Sequence, residues 1–530
     1  MECVSEECDD NAAHIRIWDS ITLQTQQVLG SGGEFERSIS CLSFSKVDGG
    51  QFLAAVDDSY EHTLSIWEWQ RKRKVTETKS ANEQVFSCEF HPTDKQILVT
   101  CGKSHISFWS FDGVVLQKKA GIFEGRDKPK YVLCVGFTVG GDVLSGDSNG
   151  SISVWDTKSG RVSRHAPKVH QSGVFSLCST NDGRLLSGSG GRDCRIIEWN
   201  SDLTPTGRQA EVSDLAGSIR TLSQGRGNQL LMGTTHNCIL HGSMDLGFRY
   251  LIQGHTEELW GLCAHPLQQQ FVTCGYDRSL KMWDGISRSL IWTKDVADPV
   301  QCVCFHPSGS VLCVGTTVGR WLVLDAVTRD VVIGQKDGND IISALQFSPD
   351  AHSLAVASRD GNLYVYVVSE NAKRYNRLGV CGVHSSSVTA FDWSMDGQLL
   401  RTNTAELEVC YWNAVTCKQI TDEGKVRDQK WHTNHCSLSF DTVGVWPENA
   451  DGTEVNGCDR SVDQSLLAVA DDTGLVRLFS YPSHQPKSMC RDYAGHSSRV
   501  TAVRFLQNDS RLISVGGRDA AIFQWTVNKI

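Results

Sequence analysis

One feature restricts this chain more than any other: a short strand-like segment ending in tryptophan, or in a residue standing in for it, occurs twelve times. It reads "HIRIWD" (Trp18), "TLSIWE" (Trp67), "HISFWS" (Trp109), "SISVWD" (Trp155), "CRIIEWN" (Trp199), "CILHGS" (Gly242), "SLKMWD" (Trp283), "RWLVLD" (Leu324), "NLYVYV" (Tyr366), "EVCYWN" (Trp412), "LVRLFS" (Phe479) and "AIFQWT" (Trp525). Successive endings lie 49, 42, 46, 44, 43, 41, 41, 42, 46, 67 and 46 residues apart. A period of this size marks an array of like units, none of which can bury its apolar face alone. Between endings the text repeats too: an alternating strand such as "SISCLSFS" or "AVRFLQ", a polar turn such as "HPSG" or "SPDA", a second apolar strand such as "LLSGS" or "FVTCG", then a tight turn. With the segment after the Trp, each unit predicts a four-stranded antiparallel sheet.

The period, the sheet size and the Trp-Asp ending resemble WD40 repeats, which implies an all-β fold of β-propeller blades. Twelve units exceed one ring of about 4–8 blades, and 530 residues exceed a single hydrophobic core. Two tandem WD40-type propellers are therefore expected, six units per half. The boundaries read as 1–249, with an incomplete first blade, and 250–530, with an insertion around 424–461 behind the 67-residue step.

Composition excludes several function classes. A formal charge of −10 gives no basic face for nucleic acid or an anionic membrane. No apolar run approaches the length of a membrane span, and "MECVSEECDD" lacks the basic and apolar regions of a secretory signal, so a soluble intracellular protein is expected. The 20 Cys include no C-x-x-C, and Cys302 and Cys304 in "VQCVCF" read as small core residues rather than metal ligands. No P-loop, H-E-x-x-H or EF-hand loop is present. "GSGGRD" (188–193) is followed by a strand and lacks the helix N-terminus of a phosphate site. No cofactor, metal or catalytic residue is expected.

"GDSNG" (146–150) matches the G-x-S-x-G of a hydrolase nucleophile elbow, which needs a helix after Ser148. Here the alternating "SISVWD" follows, so the motif reads as a hairpin turn in which Asn149 and Gly150 are able to take positive φ.

Some polar residues have a structural reading. His255, Thr273, Asp277 and Trp283 occupy positions that in WD40 blades form a buried relay from carboxylate through imidazole and hydroxyl to indole. The same set recurs as His170, Ser187, Asp193 and Trp199, and as His496, Ser514, Asp519 and Trp525. Repetition at blade-specific offsets suits a scaffold better than three catalytic triads. A basic cluster, Arg71, Lys72, Arg73 and Lys74 in "WQRKRKV", reads as a charged edge strand, or as a docking patch for an acidic partner.

Five stretches go beyond generic repeats: "RIWDSITLQTQQVLG" (16–30), "SISCLSFSKVDGG" (38–50), "GHTEELWGLCAHP" (254–266), "VGVWPENADGTEVNGCDRS" (443–461) and "LLAVADDTGLVRLFSYP" (466–482). They resemble the echinoderm microtubule-associated protein-like family over residues 14–528. The resemblance implies a tandem atypical propeller without enzymatic activity, whose faces bind tubulin or microtubules, in the cytoplasm and at the spindle. Family members usually carry an N-terminal coiled coil and basic region; no sustained heptads occur here, so a monomer is expected unless open blade edges pair. "HIRIWD" reads as a third strand lacking the first two of its blade, and "AIFQWT" as a third strand with no fourth, as in a short isoform, fragment or incomplete gene model. The alternative is a general WD40 scaffold such as a cullin ubiquitin-ligase substrate receptor; there the W-D-x-R signature would be needed, and the nearest stretch is "WDTK" (Trp155 to Lys158).

Overall fold

The computed structural model describes residues 2–528 except 9–10, 23, 124–127, 192, 201, 214–215, 383, 423, 425, 447–454 and 487, with side chains from residue 13 onward. Among the described residues the strands form ten four-stranded and two three-stranded sheets, each an antiparallel meander in chain order. The chain divides into unit 1, Met1–Gly254, and unit 2, His255–Ile530, with six sheets in each. The division falls after Gly254, beyond Arg249, because the outer strand Gly247–Gln253 completes the last sheet of unit 1.

The first blade of unit 2 shows why such sequences make blades. Its four strands, from inner to outer, are Leu259–Ala264, Gln270–Gly275, Ser279–Asp284 and Leu290–Asp295. The second and third are buried along nearly their whole length, whereas the fourth alternates half-buried and exposed residues. A middle strand sandwiched between two neighbouring blades is apolar on both faces; an outer strand meets solvent on one. The cores accordingly lie between blades: Val272, Leu280 and Met282 of this blade pack with Val303, Leu312 and Leu322 of the next.

Inner strands of consecutive blades lie side by side, except between the fourth and fifth blades of unit 2 and at the first blade of unit 1. In unit 2 the ring closes through its last and first blades: Thr501 Oγ1 donates to the Leu259 carbonyl at 2.8 Å, the Leu259 N–H to the Gly517 carbonyl at 3.2 Å, and Gln524 Nε2 to the Gly285 carbonyl at 2.9 Å. That last blade has three strands, Val500–Phe505, Arg511–Gly516 and Ile522–Thr526, and no fourth among the described residues. The first blade of unit 1 corrects the expectation: Glu2–Cys8 pairs antiparallel with Asn11–Trp18, so that blade has its second strand, with no inner strand among the described residues. "ECVSEEC" carries no apolar alternation; the backbone ladder makes it a strand.

The insertion is the least regular part of unit 2. It runs from the end of Lys418–Ile420 to Val455–Arg460, which is already the inner strand of the fifth blade and not part of the insertion. The segment 447–454, holding "PENADGTE", lies outside the described residues. The part before it, 430–446, stands between the fourth and fifth blades and is bonded to both. On the fourth-blade side, the buried Asp392 accepts from Thr433 Oγ1 (2.6 Å), the His435 N–H (2.7 Å), the Cys436 N–H (3.0 Å) and Arg401 Nε (2.9 Å). Arg401 reaches on to Asn434 Oδ1 at 2.6 Å, and its guanidinium lies over Trp431. On the fifth-blade side, Cys458 Sγ donates to the Asn434 carbonyl at 3.0 Å, and Arg460 to the Trp431 and His432 carbonyls at 3.1 and 3.0 Å. Burial works against the charge on Asp392, but Arg401, His435 and these hydrogen bonds hold its carboxyl far below the usual range.

Candidate interaction rims of the two propellers

Each blade presents two loops at the same end: the one entering its inner strand and the turn between its second and third strands. The relays tie these loops together. In the first blade of unit 2, His255 Nδ1 lies 2.8 Å from Asp277 Oδ2, His255 Nε2 lies 2.8 Å from Thr273 Oγ1, and the Trp283 indole donates to Thr273 Oγ1 at 2.8 Å. The corresponding distances are 3.2, 2.8 and 2.8 Å through His170, Asp193, Ser187 and Trp199, and 3.0, 2.8 and 2.8 Å through His496, Asp519, Ser514 and Trp525. An indole only donates, so the hydroxyl accepts from it and donates to Nε2, leaving Nδ1–H for the carboxylate; a single neutral tautomer satisfies every bond. The same Asp also accepts from the loop backbone: Thr256 N–H, Gln171 N–H and Ser497 N–H donate at 3.1 Å in the three blades.

A fourth relay escaped the sequence reading. His384 Nε2 lies 2.9 Å from Thr402 Oγ1, which accepts from the Trp412 indole at 3.2 Å, while Nδ1 lies 2.9 Å from the Gly361 carbonyl. The His-to-Trp spacing of 28 residues, equal to that from His255 to Trp283, was the available signal. It is obscured because the acidic position holds Glu406, which is exposed, and a backbone carbonyl takes its place.

Burial lowers the pKa of His170, His255 and His384 below 6.5, and the carboxylate partners of the first two only partly offset it. Burial raises Asp277 as well, but hydrogen bonds from His255 and Ser279 carry it down to about 2. A depressed histidine stays neutral in the folded chain while the unfolded chain takes up a proton, so stability is lost as pH falls below about 6.5. For the buried His255 the loss is up to about 1.4 kcal/mol per pH unit. Urea midpoints for unit 2 are expected to change little from pH 7.5 to about 6.5 and to fall below it, down to pH 5.5; a flat profile would contradict this assignment of protonation.

With their loops pinned, the rims are distinguished by what stands on them. In eleven blades the inner strand bulges at its second residue, which is skipped in the pairing, as where Val85 pairs with Gly102 and Ser87 with Cys101. A bulge re-aims a side chain and ends regular pairing. The skipped residues are Ser40, Phe86, Leu133, Phe175 and Arg220 in unit 1. In unit 2 they are Trp260, Gln301, Ser343, Thr389, Asn456 and Thr501. Unit 1 thus has an aromatic and apolar arc, and unit 2 a largely polar ring with one tryptophan.

Ser148 stands in a turn and not an elbow. Its Oγ accepts from the Tyr131 N–H at 3.3 Å, and the strand Ile152–Asp156 follows. Of the Asn149 and Gly150 pair, only Gly150 takes positive φ (+78°), because Asp147 Oδ1 caps the Asn149 and Ser151 N–H groups at 2.8 and 3.0 Å and leaves one residue to reverse the chain. Cys304 is buried in a core between blades, and Cys302 Sγ donates to the Ile342 carbonyl at 3.2 Å. In the basic cluster, Arg71 and Arg73 clamp the buried Glu68 at 3.1 and 2.8 Å, and Lys74 pairs with Glu77 at 2.7 Å beside the Trp67 ring. No carboxylate among the described residues pairs with Lys72. The cluster's four positive charges thus meet two carboxylates of their own blade, Glu68 and Glu77. No helix is long and apolar enough to cross a membrane, and no group of three or more His, Cys, Asp or Glu able to hold a metal occurs among the described residues.

Comparison with known proteins agrees with this architecture. The model of the echinoderm microtubule-associated protein first beta-propeller matches residues 2–242, and that of the second beta-propeller residues 259–527. Echinoderm microtubule-associated protein-like 2 of Rattus norvegicus is 49% identical over 514 residues, covering 97% of this chain and 79% of the relative. Echinoderm microtubule-associated protein-like 1 of Rattus norvegicus is 47% identical, covering 97% and 63%. The 77 kDa echinoderm microtubule-associated protein of Strongylocentrotus purpuratus is 45% identical over 519 residues, covering 98% and 75%. With both propellers matched in order and nearly half of all positions identical, the chain belongs to the echinoderm microtubule-associated protein-like family.

Proposed function

We propose that this chain is a non-enzymatic microtubule-associated protein that binds tubulin through a propeller face, in the cytoplasm and on the cytoskeleton, and acts as a monomer in organising microtubules, the spindle included. The observation that carries the reading is the division of labour at the rims. The His, Asp, Ser and Thr groups that resemble catalytic sets are bonded into the scaffold through the indoles, while the bulge residues lie outside these relays. A face of this kind recognises a surface and does no bond chemistry. The names of the relatives supply the partner.

Co-sedimentation with polymerised tubulin, and gel filtration with soluble tubulin, both at low and moderate salt, test it. Binding to at least one form is the expected result; binding to neither removes the proposal. The cullin-receptor alternative is less favoured, since Lys158 stands where such receptors often carry an arginine.

A further inference from the structure

The rims of the two units share one frame but differ in charge, and the difference has a consequence for what each can hold. In unit 1 the arc begins with Phe86, whose ring centroid lies 5.9 Å from that of Tyr131. Lys130 sits over the Tyr131 ring at 5.0 Å, and Leu133 follows on the inner strand Val132–Phe137 that begins directly after them. Phe175 comes next, with the Arg220 guanidinium over its face at 5.1 Å. Two glycines make room for these side chains: a Cβ on Gly173 would meet Leu133 Cδ1 at 2.7 Å, and one on Gly190 would meet Phe175 Cε2 at 2.4 Å.

Phe86, Tyr131, Leu133 and Phe175 are each half-buried, while Lys130 and Arg220 are exposed. No carboxylate among the described residues pairs with Lys130 or Arg220. Two carboxylates described on this unit are committed to other partners: Glu83 to Lys103 at 2.7 Å, and Asp193 to His170. Unit 2 has the same motif in neutralised form. Arg499 lies over Trp260 at 4.9 Å, but Glu258 sits 3.8 Å from Arg499 and 3.5 Å from Arg518. A cation held over an aromatic face without a counter-ion is a place for an incoming carboxylate, and the half-buried rings beside it offer apolar contact that a simple polyanion does not use.

From these observations we infer that the rim of unit 1, along Phe86, Tyr131, Leu133 and Phe175, docks an acidic peptide segment that carries an apolar side chain between its carboxylates, with Lys130 and Arg220 receiving the charge. The inference rests on the reading that a propeller face does the binding, but not on the partner being tubulin. Attraction of this kind is screened over about 8 Å at physiological salt, so it weakens as salt rises, while the apolar contact persists.

The test uses the full chain and a fluorescein-labelled synthetic peptide in which Glu and Asp flank one Phe, read by anisotropy. Beside it are measured a Gln and Asn version and an acidic version with Gly in place of Phe. The acidic Phe peptide is expected to bind best, and Arg220→Glu with Lys130→Glu to weaken it about tenfold or more, with the unfolding midpoint unchanged because both side chains are exposed. Trp260→Ala, on the other unit, is expected to leave binding as it was. The proposal is overturned by no binding, by equal binding of the neutral peptide, by indifference to the charge reversals, or by loss in Trp260→Ala alone. Peptide binding without binding to either polymerised or soluble tubulin would keep this site and remove tubulin as partner. Binding to tubulin in either form without peptide binding would do the reverse.

Discussion

Asp392→Ala is expected to destabilise unit 2 by about 3–5 kcal/mol, the usual cost of removing one partner of a buried, hydrogen-bonded ion pair. The carboxylate is fully buried and takes four hydrogen bonds, three of them from the insertion, and its loss leaves Arg401, 2% exposed, without its counter-charge. For a unit of this size the loss corresponds to a shift of roughly 10 °C in the unfolding transition. Calorimetry is expected to show one transition moving and another, from unit 1, staying. Trypsin is expected to cut sooner at Arg427 and Lys430, beside the released segment. A shift below about 2 °C would mean that the insertion is held by its contacts with the fifth blade instead.

The second large effect is expected at Thr273. Thr273→Val keeps the shape of the side chain but removes the hydroxyl on which both the Trp283 indole and His255 Nε2 depend. Two buried polar groups are then unpaired, at about 1–3 kcal/mol each. Trp283→Phe in the same background removes one of them and is expected to recover part of the loss, since deleting both partners costs less than stranding one. Urea melts of the two single variants and the double variant give the coupling directly. Strict additivity would show that the relay contributes no more than packing.

Much of this molecule can be read from its repeat. Spacing and strand texture indicate twelve sheets and two rings, because each blade's middle strands must be apolar on both faces and its turns polar, whatever the blade contacts. Three of the relays are legible for the same reason: the Asp precedes the Trp by six residues in each, and the His and hydroxyl keep their offsets to within one residue. The fourth is hidden once a backbone carbonyl replaces the Asp at His384, since a carbonyl leaves no mark in the sequence. The inner-strand bulges leave a faint one: in "VFSC", "LWGL" and "VTAF" a changing residue follows a constant apolar one. That frame marks the rim positions, but periodicity alone does not single it out from ordinary alternation.

Other features depended on distance in space. Arg71 and Arg73 look like a free basic patch in the chain and turn out to clamp Glu68, which precedes them and is buried. The insertion looks like a loop inserted in a blade, but its bonds to Asp392 and Arg401 on one side and to Cys458 and Arg460 on the other make it a spacer between blades. The strand Glu2–Cys8 has no apolar pattern at all. What the sequence by itself determined is the repeating unit, since strand periodicity and within-blade hydrogen bonds act over tens of residues. What only the tertiary structure decided is which rim cations meet a carboxylate among the described residues and what stands in the gap between the fourth and fifth blades of unit 2, because those depend on side chains that meet across blades and no local rule carries them.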